Sequence, residues 1–477
     1  MRTQQHYART NAPSWLANEL DGHRFFDVRL ARRLQELAGQ FWSHLGQSIP
    51  MACQDWANTK AAYRFLGNSH VHEDVILEGH FHATHERIRA TSGPVLILHD
   101  TTHFAFQRDN QPPIGITHKV YGGKDDQGRH KARTLCGILM HSSMVVTPEG
   151  LPLGLAAAKF WNRKEFKGCT ALKRKINPTR VPIEAKESFR WLDNLRRSTA
   201  LCGDADRCVH IGDRESDIYE LFCLTRQLGT HFLVRTCVDR LAGDGGHTVA
   251  DEMDEVQVRG LHRVEICDRH GNVSTAVLEL RFKRIHLLPP IGKQAKYPAL
   301  TLSVLHATER DKPIGRERID WKLLTDLPVI SRTQAIEKLQ WYATRWKIET
   351  FHKIMKSGCK VEQSKLRTSD RLVNLIALYC ILGWRIFWTT MMQRAMQAGP
   401  AALAFTTQEL KLLDRLVQTP ATAGTDLSAY VRKLACLGGY LARSHDPPPG
   451  NTVIWRGLSR LTEIEFGYEL ALETVGN

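Results

Sequence analysis

The chain has 477 residues, with 65 Lys and Arg against 50 Asp and Glu and a formal net charge of +15. The length exceeds one ordinary domain, so two or three are expected, and the positive excess favours a polyanionic partner, either nucleic acid or an anionic membrane surface. The 11 cysteines are odd in number and none are spaced CxxC, which argues against a disulfide framework or zinc knuckle and for core thiols in a reduced, cytoplasmic compartment.

Residues 1–72 are expected to form a helical domain. The first apolar residues are broken by Arg2, His6 and Arg9, so no secretory leader is expected. The segment ArgLeuAlaArgArgLeuGlnGluLeuAla (29–38) has helical apolar spacing, with Arg29, Arg32 and Arg33 on its polar side. A second basic segment holds Lys60, Tyr63 and Arg64. Basic residues on a small helical unit suit phosphate clamping and base contacts. A merely solvated basic face has the same composition.

A central region, 73–392, begins with strands at 95–99, 134–146, 151–158 and 208–212. The apolar runs at 95–99 and 208–212 end in Asp100 and Asp213. Between them lies a basic segment carrying Lys159, Arg163, Lys164, Lys167, Lys173, Arg174, Lys175 and Arg180, interleaved with Phe160, Trp161 and Phe166. Cations among aromatics fit a mobile loop on a nucleic-acid backbone, although a solvated loop would read similarly. Alternating segments at 232–238, 275–282 and 300–305 read as antiparallel strands of a β-rich insertion at about 235–330. The 22 histidines suggest no metal site, because His99 and His103 could converge only on a helix and sit at a strand end.

Near the end of this region, Tyr342-x2-Arg345-x3-Glu349-x6-Lys356 has steps that place all four side chains on one helical face. A carboxylate beside two cations and a phenol suits a divalent metal next to a phosphate. A surface helix with i,i+4 ion pairs has the same spacing. The best apolar run, 375–384, is about ten residues, too short to span a bilayer and expected to be a buried helix. Residues 393–477 are expected to be helical, interrupted by AspProProProGly (446–450). The segment LeuAlaCysLeuGlyGlyTyrLeu (434–441) mixes small and apolar residues, which permits close helix contact.

Asp100, Asp213 and Glu349 together would make a carboxylate triad. An aspartate at the carboxyl end of a central strand sits where α/β sheets bind ligands. Three adjacent carboxylates repel, and two Mg2+ ions would relieve that repulsion while serving in-line attack on a phosphodiester. Either aspartate alone could be a turn residue or helix cap.

These motifs resemble the DDE transposases of the cut-and-paste insertion-sequence group that is marked by a Tyr-Arg-Glu-Lys motif. The resemblance rests on AspThrThr (100–102), GlyAspArgGluSerAspIle (212–218), TrpLysLeuLeuThrAsp (321–326) and TyrAlaThrArgTrpLysIleGluThrPheHisLys (342–353). It extends to LysAlaAlaTyrArgPhe (60–65) and LeuAlaCysLeuGlyGlyTyr (434–440), and is weakest over 231–320. The resemblance implies an α/β, RNase H-like core with a β insertion lying over the active site, an N-terminal domain that recognises the transposon end, and a C-terminal dimerisation element. It implies Asp100, Asp213 and Glu349 as ligands of two Mg2+ (or Mn2+) ions. Tyr342, Arg345, Lys353 and Lys356 would hold a DNA phosphate near a hairpin. Trp321 would stack on a flipped base, although a tryptophan near a strand is also an ordinary core residue. The implied activity is nicking, hairpin formation, hairpin opening and strand transfer by a homodimer on double-stranded DNA, in the bacterial cytoplasm and at the nucleoid when bound. A metal-dependent nuclease without strand transfer would share the triad, as would a DNA-binding derivative disabled elsewhere.

Overall fold

A computed structural model describes residues 14–22, 25–107, 114–124, 127–128, 130–163, 181–267, 273–311, 313, 315–395, 399–418 and 424–475. Five helices come first: α1 (Ser14–Glu19), α2 (Val28–Ser43), α3 (Ile49–Cys53), α4 (Trp56–Leu66) and α5 (Glu73–Arg89). On α2 the buried residues Leu34, Leu37, Ala38, Phe41 and Trp42 recur at helical spacing and leave the arginines on the other side. Side chains fix where α2 and α4 begin: Asp27 accepts from the Arg29 amide, and Asp55 accepts from the Asn58 amide.

The strands are β1 (Val95–Phe106), β2 (Ile116–Lys124), β3 (His130–Val146), β4 (Pro152–Trp161), β5 (Cys208–Gly212), β6 (His231–Arg235), β7 (Leu241–Ala242), β8 (His247–Thr248), β9 (Gly260–Cys267), β10 (Val273–Leu287), β11 (Leu300–Glu309) and β12 (Asp320–Thr325). They form one mixed sheet in the order β2-β3-β1-β5-β6-β12-β11-β10-β7-β8, with β4 on β3 and β9 on β10. β1, β3 and β4 pair antiparallel, whereas β5 and β6 run parallel to β1. The parallel β5 and β6 are joined through the helix Tyr219–Leu228, the long crossover that parallel pairing requires.

Two expectations change here. The strand at 95–99 does not stop before Asp100. It continues to Phe106 because β3 pairs with it from Leu96↔Val146 to Phe106↔Cys136, so Asp100 is inside a strand. The stretch from Tyr342 to Lys356 is not one helix either. Tyr342 ends the helix Arg332–Ala343, Glu349 lies in the helix Trp346–Lys353, and Lys356 lies in a π turn, Ile354–Gly358. At the first junction the Arg345, Lys347 and Ile348 amides bond three residues back, and Thr344 Oγ1 donates to the Trp341 carbonyl at 2.7 Å. These tighter bonds interrupt the α-helical ladder without Gly or Pro.

The β-rich stretch extends the sheet sideways, since β12 pairs with β6 at Leu324↔Val234. The apolar run at 375–384 lies in a 27-residue helix, Ser369–Ala395. That helix is long and apolar enough to cross a membrane, but 94% of its most apolar window is buried inside the protein. It runs through a core that joins Leu16, Leu34 and Phe41 of the N-terminal helices, Leu98 and Ile211 of the sheet, and Leu434, Leu458 and Leu461 near the C-terminus. Asn374 Nδ2 donates to the carbonyls of Leu66 and Val71 at 3.0 and 2.9 Å. The core therefore crosses residues 72 and 392 without a break.

The small residues at 434–441 work within the chain. A Cβ on Gly438 would sit 1.9 Å from the Val453 carbonyl oxygen, and one on Gly457 2.1 Å from that of Leu434. Only glycine lets the helices Leu427–Leu437 and Asn451–Val475 meet backbone to backbone here.

Candidate active site and nucleic-acid interface

The site begins with strand register. β1 and β5 pair in parallel from Val95↔Cys208 to Leu98↔Ile211. Continuing that register by two residues sets Asp213 level with Asp100, and level residues on adjacent strands share a face. Asp213 lies just past β5, where its Oδ1 accepts from the Glu215 amide at 2.9 Å. Burial raises its carboxyl above the ordinary range, and Asp100 adds to the effect.

The helix Trp346–Lys353 packs over β1. Arg345 precedes it, with Nη1 3.6 Å from Asp100 Oδ1 and Nη2 donating to Glu349 Oε1. Burial disfavours this guanidinium's charge, but Asp100 and Glu349 outweigh burial and raise its pKa. A cleft of about 270 Å³ is lined by Asp100, Thr102, Glu349, His352, Lys353 and Lys356. Lys353 is exposed. Burial lowers the Lys356 ammonium, against the pull of Glu362 and Asp100. Tyr342 is buried, its phenol raised by that burial, and Trp321 meets it edge-on at 5.2 Å. Trp321 is only partly buried, so part of its ring remains open.

Sequence reasoning missed the residues that support the aspartates. His352 sets Nδ1 3.4 Å from Asp100 Oδ2 and Nε2 2.8 Å from Ser142 Oγ. Arg190 donates to Thr101 Oγ1 at 3.1 Å and pairs with Glu215, tying the neighbour of Asp100 to the turn after Asp213. Its guanidinium also packs against the rings of Trp161 and Trp191. On the opposite face of the sheet, His99 Nε2 meets His210 Nδ1 at 2.9 Å, and Ser143 and Thr199 close the chain at 2.9 Å each. Burial drives the His99 imidazole down to about 3, and burial also holds His141 and His210 well below their ordinary value. Histidines interrupting the apolar runs just before Asp100 and Asp213 were the available signal. No spacing rule pointed to Arg190.

The donor set is made of carboxylates, the chemistry hard divalent cations prefer. Among the described residues no three such groups already sit at metal-ligand spacing. The Glu349 side chain, 53% exposed, is turned to Arg345, whereas that of Asp100 is 17% exposed. The level aspartates fit such an ion, and Glu349 has the freedom to join them by exchanging its arginine partner.

At the N-terminal helices, Arg29 pairs with Asp27, and Arg32 and Arg33 both reach Glu36. Lys60 and Arg64 are exposed, and Tyr63 packs partly against the core. α2 and α4 line an open groove of about 520 Å³ with Arg29, Arg33, Trp56, Lys60, Arg64 and Phe65, among others. Residues 12–71 match the transposase DNA-binding family. The match supports a DNA-binding transposase.

The basic loop needs correction at its start. Lys159 belongs to β4 and pairs with Asp193, and Arg163 pairs with Glu187 and donates to the Thr117 carbonyl. Both are fixed by local partners rather than carried on a loose loop. Lys164, Lys167, Lys173, Arg174, Lys175 and Arg180 lie outside the described residues.

Proposed function

We propose that the protein is a cut-and-paste DNA transposase of the DDE type, which excises its element and inserts it into target DNA. One observation carries the reading: Asp100 on β1 and Asp213 just past the parallel β5 come close enough that Asp100 and Arg345 both act on the Asp213 carboxyl, and Glu349, Lys353 and Lys356 share the Asp100 cleft. The transposase DNA-binding match at residues 12–71 supplies the substrate class. The mixed sheet, with both aspartates at its centre and Glu349 on a covering helix, supports an RNase H-like core. The strands from 241 to 325 are then its insertion.

In this reading Asp100, Asp213 and Glu349 hold two Mg2+ ions, or Mn2+ in their place, which when bound activate the attacking oxygen and stabilise the leaving one. The protein's own residues then position the DNA. Arg345 leaves Glu349 for a phosphate oxygen, a charge-assisted bond of the same kind. Lys353 and Lys356 neutralise the adjacent backbone, and Tyr342 donates its phenol to it. His352 steadies Asp100 directly, and Arg190 ties Thr101 to Glu215, the neighbours of the two aspartates. The open part of Trp321 stacks on a base turned out of the duplex, which offsets part of the unstacking cost and lets the strand fold back as a hairpin. Hairpin opening and strand transfer follow, in a homodimer that pairs two ends, in the bacterial cytoplasm.

The test is cleavage of linear DNA carrying the element's terminal inverted repeat, with Mg2+, comparing wild type with Glu349→Ala. Flush excision through a hairpin, lost in the variant, is expected. End-independent degradation would replace this reading with a plain nuclease, and tight end binding without any cutting would replace it with an inactive DNA-binding relative.

A further inference from the structure

The open 520 Å³ groove of the N-terminal helices contains a residue that charge alone does not explain. Trp56 is 78% exposed, although burying an indole is strongly favourable. It is the first residue of α4, and Asp55 fixes that start by accepting from the Asn58 amide at 2.8 Å and from Asn58 Nδ2 at 2.6 Å. Trp56, Lys60 and Arg64 follow at steps of four, so they form one stripe along α4. Lys60 and Arg64 are exposed and have no ion pair among the described residues. Arg29 and Arg33 of α2 supply the facing wall.

This is an apolar tip at a helix N-terminus with cations one and two turns behind it. An α-helix fits the major groove of B-DNA, and its N-terminal residues are the ones that reach base edges, while cations further along meet phosphates. An indole offers a wide apolar face, and the apolar group exposed in the major groove is the C5 methyl of thymine. We infer that Trp56 reads a thymine methyl in the major groove of the element's end, with Lys60 and Arg64 on flanking phosphates. The inference rests on the end-binding reading of the previous section and adds the group that is recognised.

The experiment uses the full chain and duplexes carrying the terminal inverted repeat, each with one thymine replaced by deoxyuridine, which removes only the methyl. Affinity is read by fluorescence anisotropy at fixed salt. At one position wild type is expected to lose about fourfold in affinity, roughly the worth of one buried methyl. Trp56→Ala is expected to bind the unmodified end about tenfold more weakly and to show no further loss with deoxyuridine at that position. Trp56→Phe, which keeps an aromatic face, should retain part of the sensitivity. Lys60→Ala should weaken all duplexes alike and reduce the slope of log affinity against log salt by about one. Because Trp56 is exposed, its variants should melt like wild type, which separates lost contact from lost fold. Wild type insensitive to every substitution, or Trp56→Ala as sensitive as wild type, overturns the inference while leaving end binding intact. If wild type does not prefer the inverted repeat over a scrambled duplex, the end-binding reading and this inference fall together.

Discussion

The two faces of the β1–β5 pair differ in chemistry although a single residue separates them. On one face, Asp100 opens toward a cleft that Glu349, Lys353 and Lys356 also line, with Arg345 beside it and Asp213 near enough for Asp100 to raise its carboxyl. On the other, His99 and His210 hydrogen-bond to each other, to Ser143 and to Thr199, all of them buried. Side chains alternate between the faces of a strand, so one residue separates the carboxylate face from a closed histidine face. The difference teaches that burial alone does not mark the working side. Both faces bury polar groups, but the carboxylate face also presents Lys353 and Lys356, which have no ion pair among the described residues.

Substitutions on each face sharpen the contrast. The largest effect is expected for Asp213→Asn, which should lower DNA cleavage by on the order of 10³-fold or more while keeping end binding. Full activity in that variant would remove the carboxylate triad from the mechanism. Arg345→Ala follows, with a loss of about 10²-fold in cleavage rate once DNA is bound, measured in single-turnover reactions. An unchanged rate would show that Arg345 serves only its carboxylate neighbours.

The opposite face should respond in stability rather than rate. His210→Ala leaves His99 Nε2 and Thr199 without partners and opens a cavity, so it should cost about 2–4 kcal/mol in denaturant unfolding. Cleavage per folded molecule should stay near wild type. A rate loss as large as that of Arg345→Ala would mean the two faces are coupled. The smallest effect is in pH. His210 is neutral in the folded protein because burial lowers its pKa well below 6.5, whereas the unfolded chain takes up the proton near pH 6.5. The stabilisation from keeping it neutral is therefore complete above that pH and is lost as pH falls below it, at up to about 1.4 kcal/mol per pH unit for the group. Stability measured from pH 7 down to pH 5 should fall more steeply in wild type than in His210→Ala.

The sequence signal was strongest where local rules decide. β5 runs over the expected 208–212 because polar residues bound a short apolar run. The aspartates and the glutamate were readable as residues, but their arrangement was not. Asp100 was expected to end a strand, and only pairing with β3, remote in sequence, carries that strand on to Phe106. The interrupted helix around Arg345 had no Gly or Pro to announce it, and the interruption shows only in the hydrogen bonds of Thr344 and its neighbours. His352 and Arg190 reach Asp100 and Thr101 through tertiary packing, which no periodicity encodes. Trp56 carries no sequence mark of exposure, since a tryptophan in a helical segment is more often core, and Asp55 sets it at the first position of α4.

The helix Ser369–Ala395 has a mechanical consequence. Phe41 from the N-terminal helices stacks on its Tyr379 at 5.7 Å, and Asn374 holds the end of α4. The helix Asn451–Val475 packs against the same helix. A shaft shared this way makes the DNA-binding helices and the carboxylate sheet one cooperative unit rather than beads on a string. Hydrogen exchange should therefore show Leu66 and Leu382 opening together in global unfolding, not through separate subglobal events.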